Sequence, residues 1–334
     1  MCSSDLKAAG CYGLIDGKIA DPEDYFHGWF LNAGTYAGLS RVAEIAAEIE
    51  PEYAKNLQRE VEAYRQDIVT AIYHAQAKAP VVPLGDGSWA PSLPPWTEHI
   101  GAHHLYTTGE NSFTHGSFLL RSGIIGANWL IYQEVLEARE NAADFIIKTN
   151  QYPLTRDNAA QSQPYYGRHD FIHVKRDEVE AFLKTYYNQF TALQDRETYT
   201  FWEHYHHASE HKTHEEAWFL MQTRWMLYFE EGNTLSLLKA IPRRWLEYGK
   251  KIVLDGMRSY FGPLTFQAVS EPETNRLRAE LAIESDHLPT TVRIRLPHPA
   301  KRRAVACTGG VYDPQTETVT VTPFNGRATV VLEF

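Results

Sequence analysis

The chain has 334 residues, 43% of them hydrophobic and 22% charged, with a formal charge of −10. That content excludes a disordered polymer, and the length suffices for two domains with a sizeable core. The acidic balance and the lack of basic runs interleaved with aromatics argue against nucleic acid, and no apolar run reaches the length of a membrane span. Cys2, Cys11 and Cys307 have neither disulfide-framework nor zinc-ribbon spacing, so they read as free or buried thiols.

Residues 1–6, Met-Cys-Ser-Ser-Asp-Leu, resemble the in-frame translation of a common sequencing adapter and are read as a non-native scar. Asp21, Pro22, Glu23 and Asp24 form a helix start: a capping acid, a proline suited to the first turn, and acids that complement the dipole. Apolar spacing predicts a helix over 22–49, and Pro51 opens a second over 51–78, so the two form an αα-hairpin. Residues 79–112 are rich in proline and glycine and predict an irregular loop, which carries Trp89, Trp96, Glu98, His99, His103, His104 and Tyr106. Helical patterning returns over 113–120 and 128–148.

A second irregular stretch, 149–174, holds Tyr165, Tyr166, Arg168, His169 and His173. A helix is predicted over 176–193, and a third irregular stretch, 195–212, carries Trp202, Glu203, His204 and His207. Thr213 and Glu216 fit a capping box for a helix over 217–229 that is apolar nearly all round, hence expected to be buried on every side and ended by Gly232. From about 252 the period changes to alternation. Strands are predicted over 264–269, 277–283, 292–296, 319–322 and 328–334, the pattern of a small antiparallel sandwich.

Long helices alternating with aromatic, His-rich loops point to a fold that is mostly α with a β C-terminal domain. The expected architecture is a partial (α/α)6 toroid over 7–251, followed by an antiparallel β-sandwich over 252–334 that acts as a buttress. The helices in view are fewer than a complete toroid needs, so the N-terminal half of the toroid is expected to be missing from this chain.

Several blocks carry a resemblance to the six-hairpin glycosidase superfamily of bacterial carbohydrate-active proteins. They are Phe201-Trp202-Glu203-His204, the run from Lys212 to Arg224, Glu230-Glu231-Gly232-Asn233-Thr234, Ile241-Pro242-Arg243-Arg244-Trp245-Leu246 and Tyr260-Phe261-Gly262-Pro263-Leu264. The resemblance is tightest over 201–263 and looser over 81–96. It implies a carbohydrate-active protein whose partner is an oligosaccharide or polysaccharide.

Glycoside hydrolysis uses two carboxyl groups across the scissile bond, one donating a proton and the other activating water or attacking the sugar. Glu203, between aromatics on a loop, is read as the proton donor, and Glu215, in the first turn of a helix, or Glu98 as the base. Each also has a structural reading: a bonded carboxylate, dipole compensation, and a solvated loop acid. Glu216 is read as the capping partner, and Glu230 and Glu231 as solvent-facing.

Trp96, His99, Trp202, His204, His207 and His214 are expected to line sugar subsites. Tyr165, Tyr166 and Arg168 are candidates for contacting an acidic sugar, since arginine pairs a carboxylate bidentately. The run His214-Glu215-Glu216-Ala217-Trp218 has tryptophan where a zincin has its second histidine, so no metal or other cofactor is expected. A polysaccharide lyase acting on uronic-acid glycans, or a non-catalytic carbohydrate-binding module, remains the alternative.

Overall fold

The computed structural model describes residues 12–17, 27–93, 96–97, 126–151, 167–203, 210–271 and 273–334. Its two longest helices, α1 (Trp29–Ile49) and α2 (Pro51–Lys78), are joined through Glu50 alone. The Glu50 N–H closes α1 on the Ala46 carbonyl at 2.7 Å, and the Glu50 carbonyl accepts from Ala54 at 3.0 Å to open α2. Pro51 suits that junction because the first helical residue has no partner for its N–H. The predicted αα-hairpin is therefore present, with α1 starting at Trp29; the expected start at Pro22 lies outside the described residues.

Ile68, Ala71 and Ile72 of α2 join Trp29 and Ala33 of α1 in one apolar core with Leu130 and Ile146. Asn32 is buried inside it and all its polar capacity is used. Its Oδ1 accepts from the Ile15 N–H at 2.9 Å and the Tyr64 hydroxyl at 2.5 Å, and its Nδ2 donates to Ile15 O at 3.0 Å and Gly28 O at 2.8 Å. A buried amide is tolerated only when paired in this way.

The proline-rich loop contains a short hairpin that the sequence reading did not anticipate. Strands β1 (Val81–Pro83) and β2 (Trp89–Pro91) pair antiparallel about a turn in which Asp86 Oδ1 accepts the Ser88 N–H at 2.9 Å. The helix expected over 128–148 is two: α3 (Asn128–Tyr132) and α4 (Asn141–Gln151). Between them Glu134 takes φ +62°, a left-handed conformation incompatible with a continuing helix. The predicted helix over 113–120 lies outside the described residues.

The stretch expected to be irregular up to 174 holds α5 (His169–Lys175), preceded by Arg168 at φ +56°. Asp177, at φ +63°, separates it from α6 (Val179–Leu193). The last helix, α7 (Thr213–Leu227), begins one residue earlier than the capping box implied. The Lys212 carbonyl accepts from Glu216 at 3.2 Å, so Lys212 takes the capping position and Glu215 is the third helical residue. Nor is α7 buried all round: Glu215, Trp218, Gln222 and Trp225 face inward at helical spacing, while Leu220 and Met221 are exposed.

The fold is accordingly not mostly α: 40% of the described residues are helical and 26% are in strands, in sheets of two, five and five strands. The described residues show no toroid. A toroid requires successive long helix pairs, and beyond α1 and α2 the chain is cut by left-handed residues into helices as short as the 5 residues of α3 and the 7 of α5. The chain also leaves α7 at Leu227 for β3 (Tyr228–Glu231), which turns at Gly232 into β4 (Thr234–Leu237). Gly232, with φ +54°, is a hairpin residue and not a helix end.

The chain divides into two compact units, one comprising Met1–Arg176 and Lys184–Trp218, the other Asp177–Leu183 and Phe219–Phe334. The second unit adds a single turn of 3-10 helix (Arg243–Leu246), β5 (Lys251–Ser259), β6 (Gly262–Glu271), β7 (Arg276–Ile283), β8 (Thr291–Arg295), β9 (Ala306–Thr308), β10 (Val311–Asp313), β11 (Thr318–Val321) and β12 (Arg327–Glu333). The strand orders are β10-β11-β8-β4-β3 and β5-β6-β7-β12-β9. Each predicted strand is found, but β4 and β8 run parallel, so the first sheet is mixed and not the purely antiparallel layer expected. Leu264, Phe266 and Ala268 of β6 alternate with more exposed residues, as do Leu277, Ala279 and Leu281 of β7, giving that sheet one apolar buried face.

Candidate functional site

The polar interior of the first unit gathers where α3, α5 and the first turns of α7 meet. Arg168 occupies the position before α5, where its left-handed backbone turns the chain into the helix. Its guanidinium is enclosed by aromatic faces: the carbon lies 3.6 Å from the Trp218 ring centre, 4.5 Å from Trp129 and 5.2 Å from Tyr132. Such stacking suits a planar, weakly hydrated cation. Arg168 is 6% exposed, so the side chain that the sequence offered as a contact for acidic sugar is part of the interior.

The same tryptophan makes a second contact. Trp218 Nε1 donates to Asp170 Oδ2 at 2.8 Å, with Asp170 fully buried. Asn128 donates to the Gly167 carbonyl at 2.8 Å and lies 3.0 Å from His169 Nε2. His169 and His173 are both buried, one turn apart on α5, with ring centres 6.4 Å apart. Sequence reading noted these histidines but gave Asp170, Asn128, Trp129 and Tyr132 no role. The pattern His169-Asp170-x-x-His173 within an apolar run was the signal, because i,i+3 and i,i+4 spacings put such residues on one helix face.

Two of the three predicted catalytic acids are described, and both adjoin Lys212. The Lys212 N–H donates to the Phe201 carbonyl at 2.9 Å, which closes the loop between them. Lys212 Nζ binds Glu203 Oε2 at 2.8 Å, and the Lys212 carbonyl accepts the Glu215 N–H at 3.1 Å. Glu215 is completely buried. Its Oε1 lies 3.1 Å from His214 Nδ1, and its Oε2 has no hydrogen-bond partner among the described residues. Such an orphaned carboxylate oxygen is uncommon in a folded interior.

The remaining candidates separate. Trp96 is buried and bridged to Gly28, which makes it a core residue and not a subsite platform. Trp202 is half-buried, with its N–H on the Leu193 carbonyl at 2.9 Å. The His214 side chain is about one-third exposed beside Glu215. Glu98, His99, Tyr165, Tyr166, His204 and His207 lie outside the described residues. Glu230, expected to face solvent, belongs to the second unit and is instead buried, paired with Arg224 at 2.6 Å.

Among the described residues no three His, Cys, Asp or Glu side chains converge as a metal-ligand set, and no helix is long and apolar enough to cross a membrane. Neither a protein-family model nor a curated protein matches the sequence.

Proposed function

We propose that the chain hydrolyses glycosidic bonds in oligosaccharides derived from polysaccharides, with Glu203 and Glu215 as its carboxyl pair. The observation that carries this reading is the placement of both acids beside Lys212, whose ammonium binds the Glu203 carboxylate and whose carbonyl accepts the Glu215 backbone N–H. Acid/base hydrolysis uses two carboxyl groups, and Glu203 and Glu215 are the acids on the two stems of one loop. The resemblance of 201–224 to the six-hairpin glycosidases supports the same activity, although the described helices make no toroid.

In this reading the two acids exchange the roles that the sequence suggested. Glu203 is engaged as an ion by Lys212, and a carboxylate so held has no proton to give, so it suits the base or nucleophile. Glu215 keeps an oxygen without a partner among the described residues, and that oxygen is the one available to donate to a leaving group. His214, at 3.1 Å from the other oxygen, holds the carboxyl in orientation.

The test is the chain itself, with Glu215→Gln and Glu203→Gln, against a panel of neutral and acidic oligosaccharides. New reducing ends without ultraviolet-absorbing products are expected, with each variant losing at least about a hundredfold in rate. Absorbing products would indicate a lyase instead, and activity untouched by both substitutions would remove the pair from the mechanism.

A further inference from the structure

The sheet β10-β11-β8-β4-β3 has two unlike faces. Val292, Ile294 and Val319 are buried apolar residues on one. On the other, alternation places Arg293 and Arg295 side by side. Register sets Arg293 against Ser236 on one flank and Thr320 on the other, and Arg295 against Thr318. A cavity of 640 Å³ lies over this polar face, walled by residues of the Asp177–Leu183 segment and by Ile241, Pro242 and Arg243.

Most of the charge in the cavity is internally matched. Glu317 binds Arg243 and lies 3.3 Å from Arg295, and Lys239 pairs with Asp177 at 2.7 Å. Asp313 is held by the Thr316 hydroxyl at 2.7 Å. Arg295 is buried, with Nη1 on the Ile241 carbonyl at 3.0 Å, so it is a fixed part of the floor. Burial lowers its pKa to about 10. What remains are Arg293 and Lys301, exposed cations with no side-chain hydrogen bond or ion pair among the described residues, against two exposed carboxylates, Glu180 and Asp313, the second already bound by Thr316 and Gln315. Two free cations above a floor of threonine hydroxyls suit a ligand that carries both a carboxylate and several hydroxyl groups. A cavity of this size suits one or two sugar rings.

We propose that this cavity binds an acidic sugar of one or two rings, its carboxylate taken by Arg293 and Lys301 and its hydroxyls by Thr318 and Thr320. The site belongs to the second unit and does not depend on catalysis by Glu215. Calorimetric titration of the whole chain with digalacturonate, with its neutral dimethyl ester and with sulfate tests the assignment. Digalacturonate is expected to bind at least about tenfold more tightly than either of the others, and Arg293→Gln to weaken it by about tenfold at unchanged melting temperature. Glu215→Gln is expected to bind like wild type even if the hydrolase reading fails. Absence of binding up to about 10 mM, equal binding of the ester or of sulfate, or indifference to Arg293→Gln would each overturn the proposal.

Discussion

Trp218 donates its indole N–H to the Asp170 carboxylate at 2.8 Å while stacking the same ring on the Arg168 guanidinium at 3.6 Å. One side chain of α7 thereby holds an anion and a cation of α5 and its preceding residue in place. Trp218→Phe keeps a stacking ring but removes the donor, and about 1–3 kcal/mol of stability is expected to be lost. Urea denaturation measures it. Wild-type stability in this variant would mean that the N–H to Asp170 contact contributes nothing net.

Arg168→Lys is not a conservative change in this setting. The ammonium is strongly hydrated and lacks the flat face that Trp129, Tyr132 and Trp218 surround. A loss of about 1–2 kcal/mol is expected. A shift in melting temperature with unchanged secondary structure is the readout; equal stability would show that charge, not planarity, is what the aromatic faces select.

Glu230 is held by Arg224 at 2.6 Å and also accepts the Tyr260 N–H at 3.2 Å, with its side chain 1% exposed. Removing the arginine leaves a buried carboxylate without its cation, so Arg224→Met is expected to cost about 3–5 kcal/mol. The double variant Arg224→Met with Glu230→Leu is expected to recover most of that loss, because apolar residues of similar volume avoid the desolvation cost. A double-mutant cycle by chemical denaturation decides. Additive losses would show that the two residues do not act as a pair.

Asp313 titrates below its ordinary value of 3.8 because the Thr316 hydroxyl and then the Gln315 N–H bind its charged form. A carboxyl with a depressed folded pKa stabilises above its unfolded value, and that contribution is lost as pH falls through the folded one. The window therefore lies at and below about pH 4. Carboxyl titration by NMR is expected to give a midpoint below 3.8 in wild type and a higher one in Thr316→Ala. Identical midpoints would assign the shift to the backbone donor.

Where local rules dominate, the sequence was a sufficient guide. Pro51 after Glu50 predicted the junction of α1 and α2, since proline suits a first turn and no other position in a helix. Alternation gave the strands β6, β7, β8, β11 and β12 to within a few residues, because an element with one buried face must alternate. Glu203 and Glu215 stand out in the sequence as acids beside aromatics and at a helix start, and their catalytic role is a proposal.

Other features depend on residues distant in the chain. Nothing in the amino-acid order near Glu134, Arg168 or Asp177 announces a left-handed backbone, yet these three positions separate the helices of the described residues into short pieces. Tyr228 and Phe229 extend the apolar run of α7, and it is pairing with β4, itself paired to β8, that makes them a strand. Likewise Arg168 reads as a surface ligand until Trp129, Tyr132 and Trp218 surround it, and Glu230 as a solvated acid until Arg224 binds it. Propensity and periodicity are written in neighbouring residues; the burial of a charge is not, because its cost is met by partners that only the folded chain brings within hydrogen-bond reach.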